Sequence, residues 1–347
     1  MIKVLLTDDS LLAREILKDI FRATSDILVV GEAVNGTEAV LMTERLNPDL
    51  IIMDLMMPVM DGLTAIEEIM ARFPTPILVL SATLDDSEIN NAFAAIKRGA
   101  LDVMAKPGGE EINGTSGGFS ATLIDKVRML ARIKVIRRRP SIRPKFIPNN
   151  TLPLPAGDRQ VLAIGASTGG PQAVMSIVKS LPADFKATTF IVQHIASGFA
   201  DGFAQWLNRE CSISVRLAAD GDEFKQGEVL VAPGNHHMIV SDGVIRLTQD
   251  KPVNCCRPSI DVLFKSLAME QGARVVGVLL SGMGKDGAQG FIHIKERGGL
   301  TIAQDERSCA VFGMPKAAIA MNAVDLIVPL AGIPDTLSKI FHTTGDK

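Results

Sequence analysis

The sequence predicts an α/β protein built from two doubly wound parallel-sheet domains. Three observations point there: short apolar runs alternate with amphipathic stretches over the first 107 residues, a second alternation of the same kind starts at Val161, and a basic, proline-dense break lies between them. A length of 347 residues also fits two domains better than one.

In chain order, the first series offers candidate strands at Ile2–Thr7, Ile27–Ala33, Asp49–Leu55, Pro76–Ala82 and Asp102–Lys106. Amphipathic stretches such as Leu11–Phe21 and Thr37–Leu46 lie between them, and a further helical pattern covers about Ser120–Ile136. Five βα units of this kind make a five-stranded flavodoxin-like sheet, so residues 1–136 are expected to form the first domain. From Arg137 to Gly157 the periodicity ends. Five prolines (Pro140, Pro144, Pro148, Pro153 and Pro155) exclude helix and favour extended, solvated chain, so 137–157 reads as a linker.

The second domain, 158–347, opens with Val161–Gly165, a glycine-rich turn and a helix at Pro171–Leu181. Thr188–His194, a helix near Gly198–Cys211, and short runs at Ser214–Leu217 and Glu228–Ala232 follow. Met238–Val240 and Val244–Leu247, separated by Ser241-Asp242-Gly243, read as an antiparallel hairpin, expected at an edge of the sheet. Val275–Leu280, Leu300–Ala303 and Leu326–Pro329 resume the parallel pattern, giving a Rossmann-like domain with a hairpin.

Charge divides the chain in the same way. Residues 1–125 carry 9 Lys/Arg against 20 Asp/Glu, 126–157 carry 9 against none, and 158–347 carry 18 against 19. Only the middle segment is basic, which argues against nucleic-acid binding by the protein as a whole. No apolar run nears the roughly 18 residues needed to span a bilayer, and the start lacks a signal-peptide apolar region. Cys211, Cys255, Cys256 and Cys309 form no C-x-x-C pair and read as free thiols. The expectation is a cytoplasmic protein with no membrane insertion.

Ligands of open α/β sheets bind at the carboxyl ends of the strands. In the first domain those ends carry Asp8, Asp9, Asp54, Ser81 and Lys106. Three carboxylates suit Mg²⁺, and a neutralised Asp54 is placed to attack a phosphoryl group whose oxygens Lys106 and Ser81 would hold. Taken singly, each acid reads as a solvated loop residue. Together, Thr7-Asp8-Asp9-Ser10, the segment from Met53 to Gly62, Ser81-Ala82 and Lys106-Pro107 resemble the receiver domain of two-component response regulators. The resemblance implies Asp54 as phosphoacceptor, Asp8 and Asp9 as helpers in binding Mg²⁺ there, Ser81 and Lys106 as switch residues, and a histidine kinase as phosphodonor.

In the second domain, Gly165-Ala166-Ser167-Thr168-Gly169 matches the G-x-S-x-G turn that presents a serine nucleophile between a strand and a helix. A dinucleotide-binding loop would need glycine where Ser167 stands and an acid after the next strand, where the chain has His194. A third strand runs into Ser281-Gly282-Met283-Gly284-Lys285-Asp286, so three strands would deliver Ser167, His194 and Asp286 as nucleophile, base and orienting acid. His236 and His237 are rival bases, more simply read as loop residues.

These segments, with Arg257-Pro258-Ser259-Ile260-Asp261 and Phe312-Gly313-Met314-Pro315, resemble the catalytic domain of the chemotaxis protein-glutamate methylesterases. The resemblance implies hydrolysis of glutamate γ-methyl esters on chemoreceptor cytoplasmic helices, deamidation of particular receptor glutamines, and the chemotaxis histidine kinase as partner. It carries the triad onto Ser167, His194 and Asp286, with backbone near Thr168 or Met283 as oxyanion donors and no cofactor for hydrolysis. Arg257 would either face substrate or serve a helix start. Phosphorylation of the receiver is expected to relieve its cover over the Ser167 edge. The rival function is a response regulator with a nucleic-acid-binding or other non-hydrolytic output domain, supported only by the basic segment.

Overall fold

A computed structural model describes residues 1–81, 86–106, 117–133, 135 and 159–342. Ala82, Pro107 and the segment 137–157 read above as a linker lie outside these described residues. The chain divides into two compact units, Met1–Arg143 and Pro144–Lys347.

The first unit runs β1 (Ile2–Thr7), α1 (Leu11–Arg22), β2 (Ile27–Ala33), α2 (Gly36–Leu46), β3 (Leu50–Asp54), α3 (Gly62–Arg72), β4 (Ile77–Ser81), α4 (Asp86–Arg98), β5 (Asp102–Ala105) and α5 (Gly117–Leu130). Its five strands are all parallel, in the order β2-β1-β3-β4-β5. Every residue of β3 and β4 is buried, which explains their unbroken apolar runs: a central parallel strand is covered on both faces. Side-chain caps start the helices, Ser10 for α1, Asn35 for α2 and Asp61 for α3, each accepting a backbone N–H three residues on. The last helix begins earlier than the expected Ser120 and stops short of Ile136. Beyond Leu130 the amides of Arg132 and Ile133 bond three residues back rather than four, and the tight turn ends it.

The second unit runs β6 (Val161–Ala166), α6 (Gly170–Val178), β7 (Thr188–Gln193), α7 (Ala200–Glu210), β8 (Ser214–Leu217), β9 (Glu228–Val231), β10 (His237–Ser241), β11 (Val244–Thr248), α8 (Ile260–Gln271), β12 (Val275–Leu279), α9 (Ala288–Glu296), β13 (Leu300–Gln304), α10 (Met314–Ala320), β14 (Leu326–Val328) and α11 (Ile333–His342). Seven parallel strands form one sheet, β14-β13-β12-β6-β7-β9-β8. From β6 the chain winds outward through β7 to β9 and β8, then returns to the other side at β12. The order therefore reverses beside β6, the place where such sheets open a crevice.

The antiparallel hairpin is present, but it is a separate two-stranded sheet, not an edge of the seven-stranded one. Its turn needs left-handed backbone at both central residues, met by Asp242 (φ 54°) and Gly243 (φ 75°). Met238, Val240 and Ile245 join the core cluster that contains Leu263, Phe264 and Leu267 of α8, and the Val240 amide donates to Ser266 Oγ at 3.1 Å. Packing on a helix thus takes the place of edge pairing, and β8 holds that edge of the main sheet.

Candidate active site

In the first unit the chain reverses direction between β1 and β3, and the acids gather there. Asp8 follows β1 and Asp54 closes β3; both are buried, whereas Asp9 is exposed. Lys106, just after β5, reaches back to donate to Asp8 Oδ2 at 2.7 Å and Asp54 Oδ2 at 3.2 Å. Gly62 allows the close turn after β3, because a Cβ there would lie 2.1 Å from the Asp54 carbonyl oxygen. Burial, reinforced by the negative charge of Asp8 and opposed by Lys106, raises the pKa of Asp54 above the ordinary carboxylate value. Burial works to lower Lys106, but its hydrogen bond to Asp8 and the two carboxylate charges outweigh this and raise it. Asp8, Asp9 and Asp54 each offer an oxygen within 4.8 Å of the others. Three hard oxygen donors gathered this closely fit a small divalent cation such as Mg²⁺. Ser81 is buried at the end of β4, and its carbonyl accepts from the Lys106 amide at 2.7 Å.

In the second unit, neighbouring strands β12, β6 and β7 bring Ser167, His194 and Asp286 to one sheet edge. Ser167 follows β6 directly, and Gly169 (φ 74°) takes the left-handed turn into α6. The Ser167 amide donates to Ser281 O at 3.0 Å. Gly282 comes so near that a Cβ on it would lie 2.6 Å from Ser167 Cβ. His194 follows β7, its amide donating to Ala166 O at 2.9 Å. The Gln193 side chain bridges the two turns, its Nε2 donating to Ser167 O at 2.8 Å and His194 O at 3.0 Å.

Asp286 is almost wholly buried and accepts from His194 Nε2 at 2.9 Å. The start of α8 clamps the carboxylate: Ser259 Oγ donates at 2.8 Å, and the Ile260 and Asp261 amides at 2.7 and 3.2 Å. Asn254 Nδ2 adds a bond at 3.0 Å. A carboxylate at a helix N-terminus is favoured both by those amides and by the helix dipole. Burial would raise the pKa of Asp286, but His194 and these donors hold it down to about 2. Burial likewise pulls His194 down, yet the Asp286 bond and then the contact with Cys256 push it up to about 9. Asp261 next to this pair is shifted upward by burial and by the Asp286 charge, against the Gly290 amide and Asn254.

The rival groups stand elsewhere. His236 bonds Gly234 O and the Gln249 side chain, while His237 is buried between Lys251 O and the Ser259 amide. Arg257 is spent on Asn235, Gln249 O and Asp250 O. Thr168 is buried, its carbonyl accepting from Ser281 Oγ at 2.7 Å. The Gly282 carbonyl accepts from the amides of Gly313 and Met314, which fixes the loop carrying Met283. Sequence reading missed Gln193, Asn254 and Cys256. Ser259 had a visible signal as a polar residue before a helical pattern. Asn254 (φ 51°) and Cys255 (φ 63°) lie in an irregular loop with no periodicity to mark it.

Residues 162–337 match the CheB methylesterase family, and residues 4–112 match the response regulator receiver domain. A protein-glutamate methylesterase/protein-glutamine glutaminase of Anaeromyxobacter dehalogenans is 42% identical over 98% of this chain and 97% of its own length. One from Pyrococcus horikoshii is 39% identical over 97% of this chain and 93% of its own. The crystal structure of the Thermotoga maritima CheB methylesterase catalytic domain superposes with a TM-score of 0.51 at 36% identity, covering 52% of this chain and 98% of that one.

Proposed function

The chain belongs to the CheB methylesterase family, with a receiver domain ahead of the catalytic domain, and on that premise we propose that it hydrolyses glutamate γ-methyl esters on chemoreceptor cytoplasmic helices under the control of phosphorylation at Asp54. It also deamidates particular receptor glutamines. The observation that carries this reading is the His194–Asp286 hydrogen bond, held beside Ser167 at the ends of three adjacent strands.

Ser167 Oγ attacks the ester carbonyl carbon. Since His194 Nε2 is committed to Asp286, Nδ1 is the nitrogen that takes the serine proton and returns it to the departing methanol. Backbone amides near Thr168 or Met283 stabilise the oxyanion. Water, activated by the same Nδ1, then releases glutamate and restores Ser167. A glutamine side chain follows the same course with ammonia as leaving group. Each turnover adds one negative charge to a receptor helix, a local electrostatic switch.

The proposed bounds are 1–136 for the receiver, 137–157 for the linker and 158–347 for the catalytic domain. In the receiver, an Asp54 carboxylate oxygen attacks the phosphorus of a phosphohistidine on the chemotaxis histidine kinase, the P–N bond breaks with the kinase histidine as leaving group, and Lys106 and Ser81 hold the phosphoryl oxygens. Receiver phosphorylation generally uses Mg²⁺, which Asp8, Asp9 and Asp54 would hold and which would supply neutralisation of the negative charge gathered there. The place of action is the cytoplasm. Among the described residues no helix is long and apolar enough to cross a membrane.

Methanol release from membranes bearing methylated chemoreceptors tests the reading. A small phosphodonor with Mg²⁺ is expected to speed release by the intact protein. Asp54→Asn should keep the basal rate and lose the stimulation. Undiminished stimulation of Asp54→Asn, or no methanol from the wild type, would overturn it.

A further inference from the structure

The Nδ1 nitrogen of His194 faces a thiol. Cys256 Sγ lies 3.7 Å from it and 3.4 Å from Asn254 O, with an Asp286 carboxylate oxygen within 4.8 Å. Asp286 occupies Nε2 at 2.9 Å, so the lone pair of a neutral imidazole stands on Nδ1, the nitrogen on the side of the sulfur. A carboxylate behind an imidazole that presents its other nitrogen is the arrangement that orients histidine ligands of zinc. The spacing fits as well: with Zn–N near 2.0 Å and Zn–S near 2.3 Å, a tetrahedral ion separates its nitrogen and sulfur ligands by roughly 3.5 Å. The His194 side chain is 14% exposed and Cys256 is half-buried, so an ion arriving from solvent can reach the pair and keep water in its remaining positions.

We propose that Cys256 and His194 form a Zn²⁺ site at the catalytic centre through which the ion reversibly blocks turnover. Binding forms Zn–S and Zn–N bonds, and the thiol proton, with any proton on Nδ1, passes to solvent. A thiolate–imidazole pair selects Zn²⁺ over Mg²⁺, whose preference is for oxygen. While the ion is bound, the nitrogen that receives the Ser167 proton is occupied. The inhibition rests on the esterase reading, but the metal binding does not.

The test uses the full-length protein in excess Mg²⁺, which keeps the acidic pocket of the first unit from competing. Co²⁺, which takes zinc sites, should give a near-ultraviolet thiolate-to-cobalt charge-transfer band with the wild type and with Cys255→Ser, and none with Cys256→Ser. Zn²⁺ should abolish the band, inhibit methanol release, and need about tenfold or more concentration to do so in Cys256→Ser; a chelator should restore the wild-type rate. In the wild type, Zn²⁺ should also protect Cys256 from iodoacetamide, read by peptide mapping, so the outcome does not hang on the variant's folding. An absent band, a band that survives in Cys256→Ser, equal Zn²⁺ sensitivity of the two proteins, or unprotected Cys256 would each overturn the proposal. A band in a protein that releases no methanol would leave the metal site standing and sink the esterase reading instead.

Discussion

Among the described residues, the Asp286 side chain accepts more hydrogen bonds than the side chain of either partner in the proposed triad makes. Its carboxylate is held by Ser259, Asn254 and two amides before His194 is counted. Those donors keep the carboxylate ionised, and against burial its bond to His194, followed by the Cys256 contact, raises the imidazole. His194 must shed its proton before it can act as a base, so turnover is expected to rise with pH through a midpoint well above the usual histidine value, toward about 9. Asp286→Asn removes the charge that lifts that pKa. The midpoint should fall toward the unperturbed 6.5 or so, while the plateau rate drops on the order of 10³- to 10⁴-fold, because the ring loses orientation and charge support. Stability follows with a definite sign. The contribution of raised His194 is complete below its unfolded pKa and is lost as pH climbs through about 9. That of depressed Asp286 is complete above its unfolded pKa and is lost as pH falls through about 2. Asp286→Asn should therefore lower the melting temperature most between about pH 4 and 6.5, and less above pH 9, where the His194 share is gone and the Asp286 share remains. A pH–rate midpoint unchanged by the substitution would contradict this role. At this scale the sequence showed residue types that do chemistry at strand ends. It could not show Cys256 or Asn254, because an irregular loop between elements brings them in.

The elements themselves were largely readable, since buried parallel strands are continuous apolar runs and the carboxyl ends follow from the strand assignments. The two discrepancies share a cause. The hairpin leaves the sheet edge, and α5 stops at Leu130, because tertiary packing and local turns decide boundaries that periodicity alone leaves open. Glycines mark where elements nearly collide. Gly282 lies between the Ser167 turn and α10: a Cβ there would stand 2.6 Å from Ser167 Cβ and 2.4 Å from Met314 Cε. Gly282→Ala is expected to destabilise the protein by about 1–3 kcal/mol through overpacking. It should also lower turnover by about 10²-fold through displacement of the nucleophile. Gly118→Ala, in α5 with open space around its Cα, should be neutral or slightly stabilising and leave turnover unchanged. Thermal melts and initial rates of the two variants make the comparison, and equal effects would refute the crowding argument.

At the scale of the whole molecule, two sheets of the same class do different work because different residues stand at their strand ends. Acids and a lysine surround the crevice of the first; a serine, a histidine and a buried acid surround that of the second. The charge asymmetry of the chain follows this division, with the basic excess carried by residues 126–157 between the two sheets in sequence. The comparisons with known relatives support a hydrolytic output, not a nucleic-acid-binding one. The central claim is that the second crevice performs acyl transfer through a serine. Methanol release from methylated chemoreceptor membranes by folded Ser167→Ala, set beside the wild type, tests it most directly. Loss of the nucleophile should reduce the rate by roughly 10⁵-fold or more while the melting temperature and the phosphorylation of Asp54 stay unchanged. A folded Ser167→Ala protein that releases methanol at near the wild-type rate would contradict the claim.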